Sequence, residues 1–365
     1  MKIMTILGTR PELIRLSLIL RRLDDLCDHV FVHTGQNHAP GLWGDFLAEF
    51  DLRQPDHDLK AEQGTLGERI GQILAGAERV LIHEKPDRLL ILGDTNSALA
   101  AIMAKRQGVP VYHMEAGNRC HDDRVPEEVN RRIIDHSSDI LLPYTEGSRR
   151  NLLAEGIPGH RIYVTGNPIG EVLDAMAEGI AAARPLAALG LAPDGYLLFS
   201  FHREENVDVP ERLAALMAGV ERLVTLGGRQ AVVSVHPRTR ARLEAAGMVG
   251  QDRPGIHLMP PFGFRDFVSL QKNAHCVLSD SGTVQEEGAI LRVPTVTLRD
   301  VTERPETLDK GANILCGVEP EAMERAYRLA TARAPDWPLP EEYERRNVAD
   351  TVARLLLGAG PTRRR

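Results

Sequence analysis

Short unbroken apolar runs alternate along the chain with longer segments whose apolar positions recur at helical spacing. That alternation predicts a parallel α/β architecture, in which strands covered by helices on both faces carry continuous hydrophobic runs. Strands are expected at Lys2–Leu7, His29–His33, Arg88–Leu92, Pro110–His113, Ile140–Leu142 and Arg161–Val164. A second series is expected at Tyr196–Phe201, Gln230–Val235, Ile256–Met259, Cys276–Leu278, Thr295–Leu298 and Asn313–Leu315. The two series describe two doubly wound units of similar size. Between them, Asn167 to Gly195 reads as a linker built on an Ala-rich helix with Pro185 and Pro193 near its end.

Length and charge narrow the picture. At 365 residues the chain suits two domains rather than one core. A net charge of −7 argues against a nucleic-acid partner, which calls for a basic surface. No apolar run approaches the roughly 18–20 residues that span a bilayer, so no membrane partner is expected. Met1–Leu7 runs straight into the first strand, which does not resemble a signal peptide. Cys27, Cys120, Cys276 and Cys316 are widely spaced and form no C-x-x-C pair, so a reduced, cytoplasmic protein is expected.

Doubly wound sheets bind ligands beyond the carboxyl ends of their strands. The strand ending at Leu278 runs into Ser279-Asp280-Ser281-Gly282-Thr283, followed by helical residues through Leu291. Free N–H groups and the positive end of the dipole at such a helix start form an anion site. Glu286 or Glu287, one turn in, is spaced to reach sugar hydroxyls beside that anion, which suggests a nucleoside diphosphate. The first crossing, Gly8-Thr9-Arg10-Pro11-Glu12, has capping-box spacing at Thr9 and Glu12 and a proline in the first turn. Arg10 gains nothing from the helix dipole, so its presence favours an anionic ligand. Arg15, on the same helix, reads equally well as a solvated basic residue.

Other crossings also gather charge. Asp94 stands at a strand tip in Gly93-Asp94-Thr95, and His113-Met114-Glu115-Ala116-Gly117 follows the next strand. Glu127 and Arg131, at i and i+4, share a helix face, as a surface salt bridge or as part of a site. His202-Arg203 and His236-Pro237-Arg238 each put a histidine and a cation at a strand tip. Pro260-Pro261-Phe262-Gly263-Phe264 offers surface for a base ring, although ordinary turn chemistry explains it equally well. Glu303-Arg304-Pro305-Glu306 repeats the Arg-Pro-Glu pattern of the first crossing. No metal-ligand spacing, G-x-G-x-x-G or G-x-S-x-G is present, so no metal and no cofactor is expected.

Taken in order, these segments resemble the non-hydrolysing UDP-N-acetylglucosamine 2-epimerase family over nearly the whole chain. The resemblance rests on Gly8–Glu12, Gly93–Thr95, Glu115–Gly117, Pro126–Glu128 with Asn130-Arg131, His202-Arg203, Asp280–Gly282, Gln285–Glu287 and Glu303–Glu306. It implies two Rossmann-like domains facing a cleft in the GT-B manner, with a C-terminal helix, Glu341–Leu357, crossing back to the first domain. The implied boundaries are 1–168 for an acid/base domain, 169–340 for a UDP-binding domain and 341–365 for the returning helix. It implies Asp94, Glu115, Glu127 and His202 as catalytic groups. Arg10, Arg131, Arg203, His236, Phe264, Ser281, Gly282, Thr283, Glu287 and Arg304 are implied contacts to substrate or UDP. The implied assembly is a homodimer.

The implied reaction eliminates UDP while the C2 proton is abstracted, then returns UDP to C1 and a proton to the other face of C2. Arg15, Gln36-Asn37-His38 and His202-Arg203-Glu204-Glu205 depart from the pattern of many bacterial members, which have Lys, Gln-His-Arg and His-Arg-Arg-Glu there. The departures resemble a sub-branch acting on UDP-6-deoxy-N-acetylhexosamines. A UDP-sugar glycosyltransferase of the same fold, a hydrolysing epimerase and a non-catalytic nucleotide-sugar sensor are the alternatives.

Overall fold

The computed structural model describes residues 1–36, 40–61, 63–250 and 253–363; Asn37 and His38 lie outside the described residues. The chain divides into two compact units, Met1–Leu173 with Glu342–Arg365, and Asp174–Glu341.

In the first unit six parallel strands lie in the order β3-β2-β1-β4-β5-β6. They are β1 (Lys2–Leu7), β2 (Asp28–His33), β3 (His57–Asp58), β4 (Arg88–Leu92), β5 (Val111–Met114) and β6 (Ile140–Leu142). Alternate residues sort to the two faces, as a period of two requires. Met4, Ile6, Leu89, Ile91 and Val111 pack with Ala77, Leu81, Ala101 and Ala104 of helices Leu66–Glu84 and Ala100–Arg106. Each fully buried Leu or Ile contributes about 1.5–3 kcal/mol.

The second unit repeats the plan in the order β12-β11-β10-β7-β8-β9. Its strands are β7 (Tyr196–Phe201), β8 (Gln230–Val235), β9 (Ile256–Met259), β10 (Cys276–Ser279), β11 (Thr295–Thr297) and β12 (Asn313–Leu315). One face carries Leu197, Phe199, Val233 and Leu278 against Leu216, Val220 and Met323 of helices Pro210–Gly227 and Pro320–Ala330. The other carries Tyr196, Leu198, Val232 and Val277 against Leu270. The strand order reverses between β1 and β4 and again between β7 and β10, and such switch points are where open α/β sheets bind ligands.

The returning C-terminal segment has a clear electrostatic cause. Arg88, buried at the start of β4, donates to the carbonyl oxygens of Leu356, Gly358 and Pro361. A cation at those carbonyls complements the negative end of helix Val348–Leu357. Arg22 pairs with Asp350 at 2.7 Å on the same helix.

Three expected elements differ. Arg161–Val164 forms no named strand; after a 3₁₀ turn, Gly159–Arg161, Ile162 makes an isolated parallel bridge to Leu141, and the N–H groups of Tyr163 and Thr165 donate to the carbonyl oxygens of Leu141 and Pro143. Glu341–Leu357 is not one helix, because the 3₁₀ turn Glu341–Tyr343 is separated from Val348–Leu357. The Ala-rich linker helix is three short helices, Ile169–Ala175, Ala177–Ala182 and Pro185–Leu189, the last opened by a proline whose missing N–H suits a helix start.

Candidate active site

The first unit gathers its charged crossings at the β1/β4 switch point. Gly8 has no room for a side chain: a Cβ would collide with Thr34 Oγ1 and Ser97 Oγ, which hydrogen-bond to each other at 2.7 Å. The Glu12 carboxylate closes the turn, accepting from the N–H of Gly8 (3.0 Å) and of Thr9 (2.8 Å) and from the Thr9 hydroxyl (2.8 Å). Its other oxygen accepts from Thr95 Oγ1 at 3.0 Å and so joins this crossing to the one bearing Asp94. Burial pushes Glu12 up to about 7 against those four donors. Arg10 is half-buried, 5.2 Å above the Phe46 ring, and burial lowers its pKa.

Asp94 leaves β4 after Gly93, at φ +72°, and meets the Arg131 guanidinium. Arg131 also grips Glu128 at 2.6 Å, and Glu128 in turn accepts from the N–H groups of Cys120 and His121. Burial raises the Glu128 carboxyl, but those donors and Arg131 outweigh it and hold it below its ordinary pKa. Glu127, the acid singled out from spacing, is half-buried in the first turn of helix Pro126–Ser137. Glu115 follows β5 in the left-handed region at φ +61°, which costs a non-glycine residue about 1 kcal/mol or more. Its carboxylate lies 3.2 Å from Arg15, and both side chains are almost fully buried. Arg15 is therefore the buried partner of Glu115 rather than a solvated cation; its charge alone gave no signal of this.

In the second unit the β7/β10 switch point brings the other crossings together. The fully buried Asp280 carboxylate accepts from the backbone N–H of His202 and Arg203 and from Asn206 Nδ2, at 3.0–3.1 Å. It thereby fixes the loop that presents His202, whose Nδ1 is 3.4 Å away. His236, from the tip of β8, places its ring 5.7 Å from that of His202. Ser281 immediately precedes helix Gly282–Leu291, and its hydroxyl is 3.0 Å from that of Thr283. Glu286 and Glu287 are both buried, and Arg304 takes Glu286 at 2.9 Å. Arg304 also pairs with Glu303, which meets Arg299 at 2.8 Å and Arg203 at 3.6 Å. Phe264 is buried at the start of helix Phe264–Asn273. Asp280 and Glu303 lay inside the quoted motifs, but nothing in their spacing revealed what they hold.

Among the described residues no group of three or more His, Cys, Asp or Glu is placed to hold a metal ion. No described helix is long and apolar enough to cross a membrane. The arrangement therefore offers a helix N-terminus flanked by arginines in one unit and arginine-braced carboxylates in the other.

The sequence profile of UDP-N-acetylglucosamine 2-epimerase matches residues 21–357. The UDP-N-acetylglucosamine 2-epimerase of Methanocaldococcus jannaschii is 39% identical over 350 residues, covering 93% of this chain and 95% of that protein. A crystal structure of the Methanocaldococcus jannaschii UDP-GlcNAc 2-epimerase, in complex with UDP-GlcNAc and UDP, superimposes with a TM-score of 0.93 at 38% identity, covering 98% and 99% of the two chains. The UDP-2,3-diacetamido-2,3-dideoxy-D-glucuronate 2-epimerase of Pseudomonas aeruginosa is 34% identical over 337 residues, covering 91% of this chain and 93% of that protein. Sequence, strand order and these likenesses agree: the chain belongs to the UDP-N-acetylglucosamine 2-epimerase family.

Proposed function

We propose that the protein is a non-hydrolysing 2-epimerase of a UDP-N-acetylhexosamine, interconverting substrates of the UDP-GlcNAc and UDP-ManNAc type. The observation that carries this reading is the pair of carboxylates, Asp94 and Glu115, at the tips of adjacent strands and each braced by its own buried arginine. Inverting a carbon requires removing a proton from one face and delivering one to the other, so two acid/base groups are the minimum.

The C2 hydrogen is too weakly acidic to leave alone, and loss of UDP makes its removal feasible. A carboxylate takes the C2 proton, the C–H electrons form the C1=C2 bond, and the C1–O pair departs with UDP, leaving a 2-acetamidoglucal. A UDP oxygen then re-adds at C1 as a second acid protonates C2 from the opposite face. In this account Asp94, Glu115 and Glu127 supply the acid/base groups, with His202 as a further catalytic group. Arg10 and Arg131 stabilise anionic charge. The Ser281–Thr283 helix start retains the diphosphate, Arg203, His236 and Arg304 support it, Phe264 lies along the base, and Glu287 takes the ribose hydroxyls.

The Pseudomonas aeruginosa relative, whose name gives a modified uronate as substrate, supports a second reading in which the hexosamine is altered away from C2. A UDP-6-deoxy-N-acetylhexosamine is then the alternative substrate. Incubation with UDP-GlcNAc in D2O, followed by NMR, tests the proposal. Deuterium at C2 in a mixture of two UDP-sugars is expected. Free sugar with UDP indicates a hydrolysing enzyme, and no exchange without an added acceptor indicates a glycosyltransferase. Exchange only with the 6-deoxy substrate selects the second reading.

A further inference from the structure

Behind the two carboxylates, His113 is buried in β5 with both ring nitrogens engaged. Nδ1 lies 2.8 Å from Asp135 Oδ1, and Nε2 lies 2.8 Å from the carbonyl oxygen of Gly93. A carbonyl and a carboxylate both accept, and neither has a proton to give. Neutral imidazole carries one N–H and one lone pair, so either tautomer would set a lone pair against an acceptor. Protonating Asp135 would relieve the contact at Nδ1, but the rest of its surroundings favour the anion. Asp135 Oδ2 accepts from the Gly117 N–H at 3.1 Å and lies 2.8 Å from Arg119 Nη2. Only a ring protonated on both nitrogens satisfies every contact.

We propose that His113 is a standing imidazolium and that, with Asp135, it forms the positioning pair that sets Asp94 and Glu115 for proton transfer; the second clause rests on the epimerase reading. The Gly93 carbonyl belongs to the peptide unit whose nitrogen is that of Asp94. The Gly117 N–H held by Asp135 lies two residues after Glu115. Gly93, Glu115 and Gly117 have φ of +72°, +61° and +79°, a turn geometry that persists where surrounding contacts over-determine it. Asp135 lies on helix Pro126–Ser137, which also carries Glu127, Glu128 and Arg131. One buried ion pair therefore locks the tips of β4 and β5 to that helix.

Among the described residues, few charges face the pair. Arg119 bridges Asp135 to Glu155, donating to the latter through Nε and Nη2 at 2.7 Å each. His136 lies 3.3 Å from Glu155 on the outer side, and Glu115 stands at the strand tip. Neither His113 nor Asp135 touches the reacting atoms in this scheme; they act through the backbone.

Two measurements test the proposal. In protein labelled with ¹⁵N-histidine at pH 8, where an ordinary imidazole is neutral, His113 is expected to show two protonated ring nitrogens. His113→Gln assigns the signals. One lone-pair-type nitrogen overturns the charge assignment, and this readout on the unsubstituted protein stands even if a variant misfolds. In Asp135→Asn, kcat for C2 exchange is expected to fall about 100-fold, as for a misplacement near 1 Å, with KM and UDP affinity unchanged. An unchanged kcat, or a fall matched by lost UDP affinity, overturns the positioning role. Absence of exchange in the unsubstituted protein would instead remove the epimerase reading, with the nitrogen signals still deciding the charge.

Discussion

Arg131 donates from Nε to Asp94 Oδ2 at 2.8 Å, with Nη2 2.7 Å from the same oxygen, while Nη1 holds Glu128 at 2.6 Å. One buried guanidinium thus serves two carboxylates of unequal exposure. The Glu128 side chain is 2% exposed and the Asp94 side chain 20%. Glu128 anchors the arginine, and Asp94 keeps an edge exposed.

Arg131→Met should therefore damage stability as well as activity. Glu128 would remain buried without its cation, which costs about 3–5 kcal/mol when one partner of such a pair is removed. Urea unfolding measures the loss; a change below about 1 kcal/mol, the worth of a surface pair, would show that the site does not depend on this pairing.

Glu12 gives the stability a pH dependence of definite sign. Its carboxyl titrates at about 7 when folded, against 4.5 as the ordinary value. Between those pH values the folded protein holds a proton that the unfolded chain has lost, so stability falls as pH rises through the window. The full effect is about 3 kcal/mol. Glu12→Gln mimics the protonated acid, accepting through its oxygen and donating to Thr95 through its amide. Denaturation from pH 4.5 to 7 should show a shallower decline in the variant, and identical slopes would contradict the assignment.

Gly282 tests the diphosphate site without removing a charge. A Cβ there would stand 2.8 Å from Glu303 Oε1 and 3.3 Å from Arg304 Cζ. Gly282→Ala must push those side chains aside, at a cost of about 1–3 kcal/mol. Calorimetry should show weaker UDP binding, because Glu303 and Arg304 are displaced from the helix start, and unchanged affinity would place the diphosphate elsewhere.

Much of this was legible in the sequence because apolar runs and strand-tip motifs are local. β7, β8, β9 and β12 lie where their hydrophobic runs predict, and Ser281-Gly282 starts a helix as its position implies. What local pattern cannot show is which charge meets which. Glu127 and Glu128 are both spaced to reach Arg131, and the bond to Glu128 depends on Cys120 and His121 N–H groups arriving from another segment. Glu286 and Glu287 were equivalent until Arg304 took the first. Arg15 gained its meaning only from Glu115, a hundred residues away in sequence. β3 escaped notice because His57–Asp58 is short and polar, held by its register with Val32 and His33 rather than by hydrophobicity.

Cleavage of the C1–O bond in each turnover is the claim on which the rest depends. It is tested by UDP-GlcNAc carrying ¹⁸O in the oxygen that bridges C1 and phosphorus. Elimination frees the β-phosphate to rotate, so the account predicts that label appears in non-bridging positions at least as fast as deuterium enters C2. Deuterium at C2 with the bridging label intact would mean that C1–O never breaks, and would contradict it.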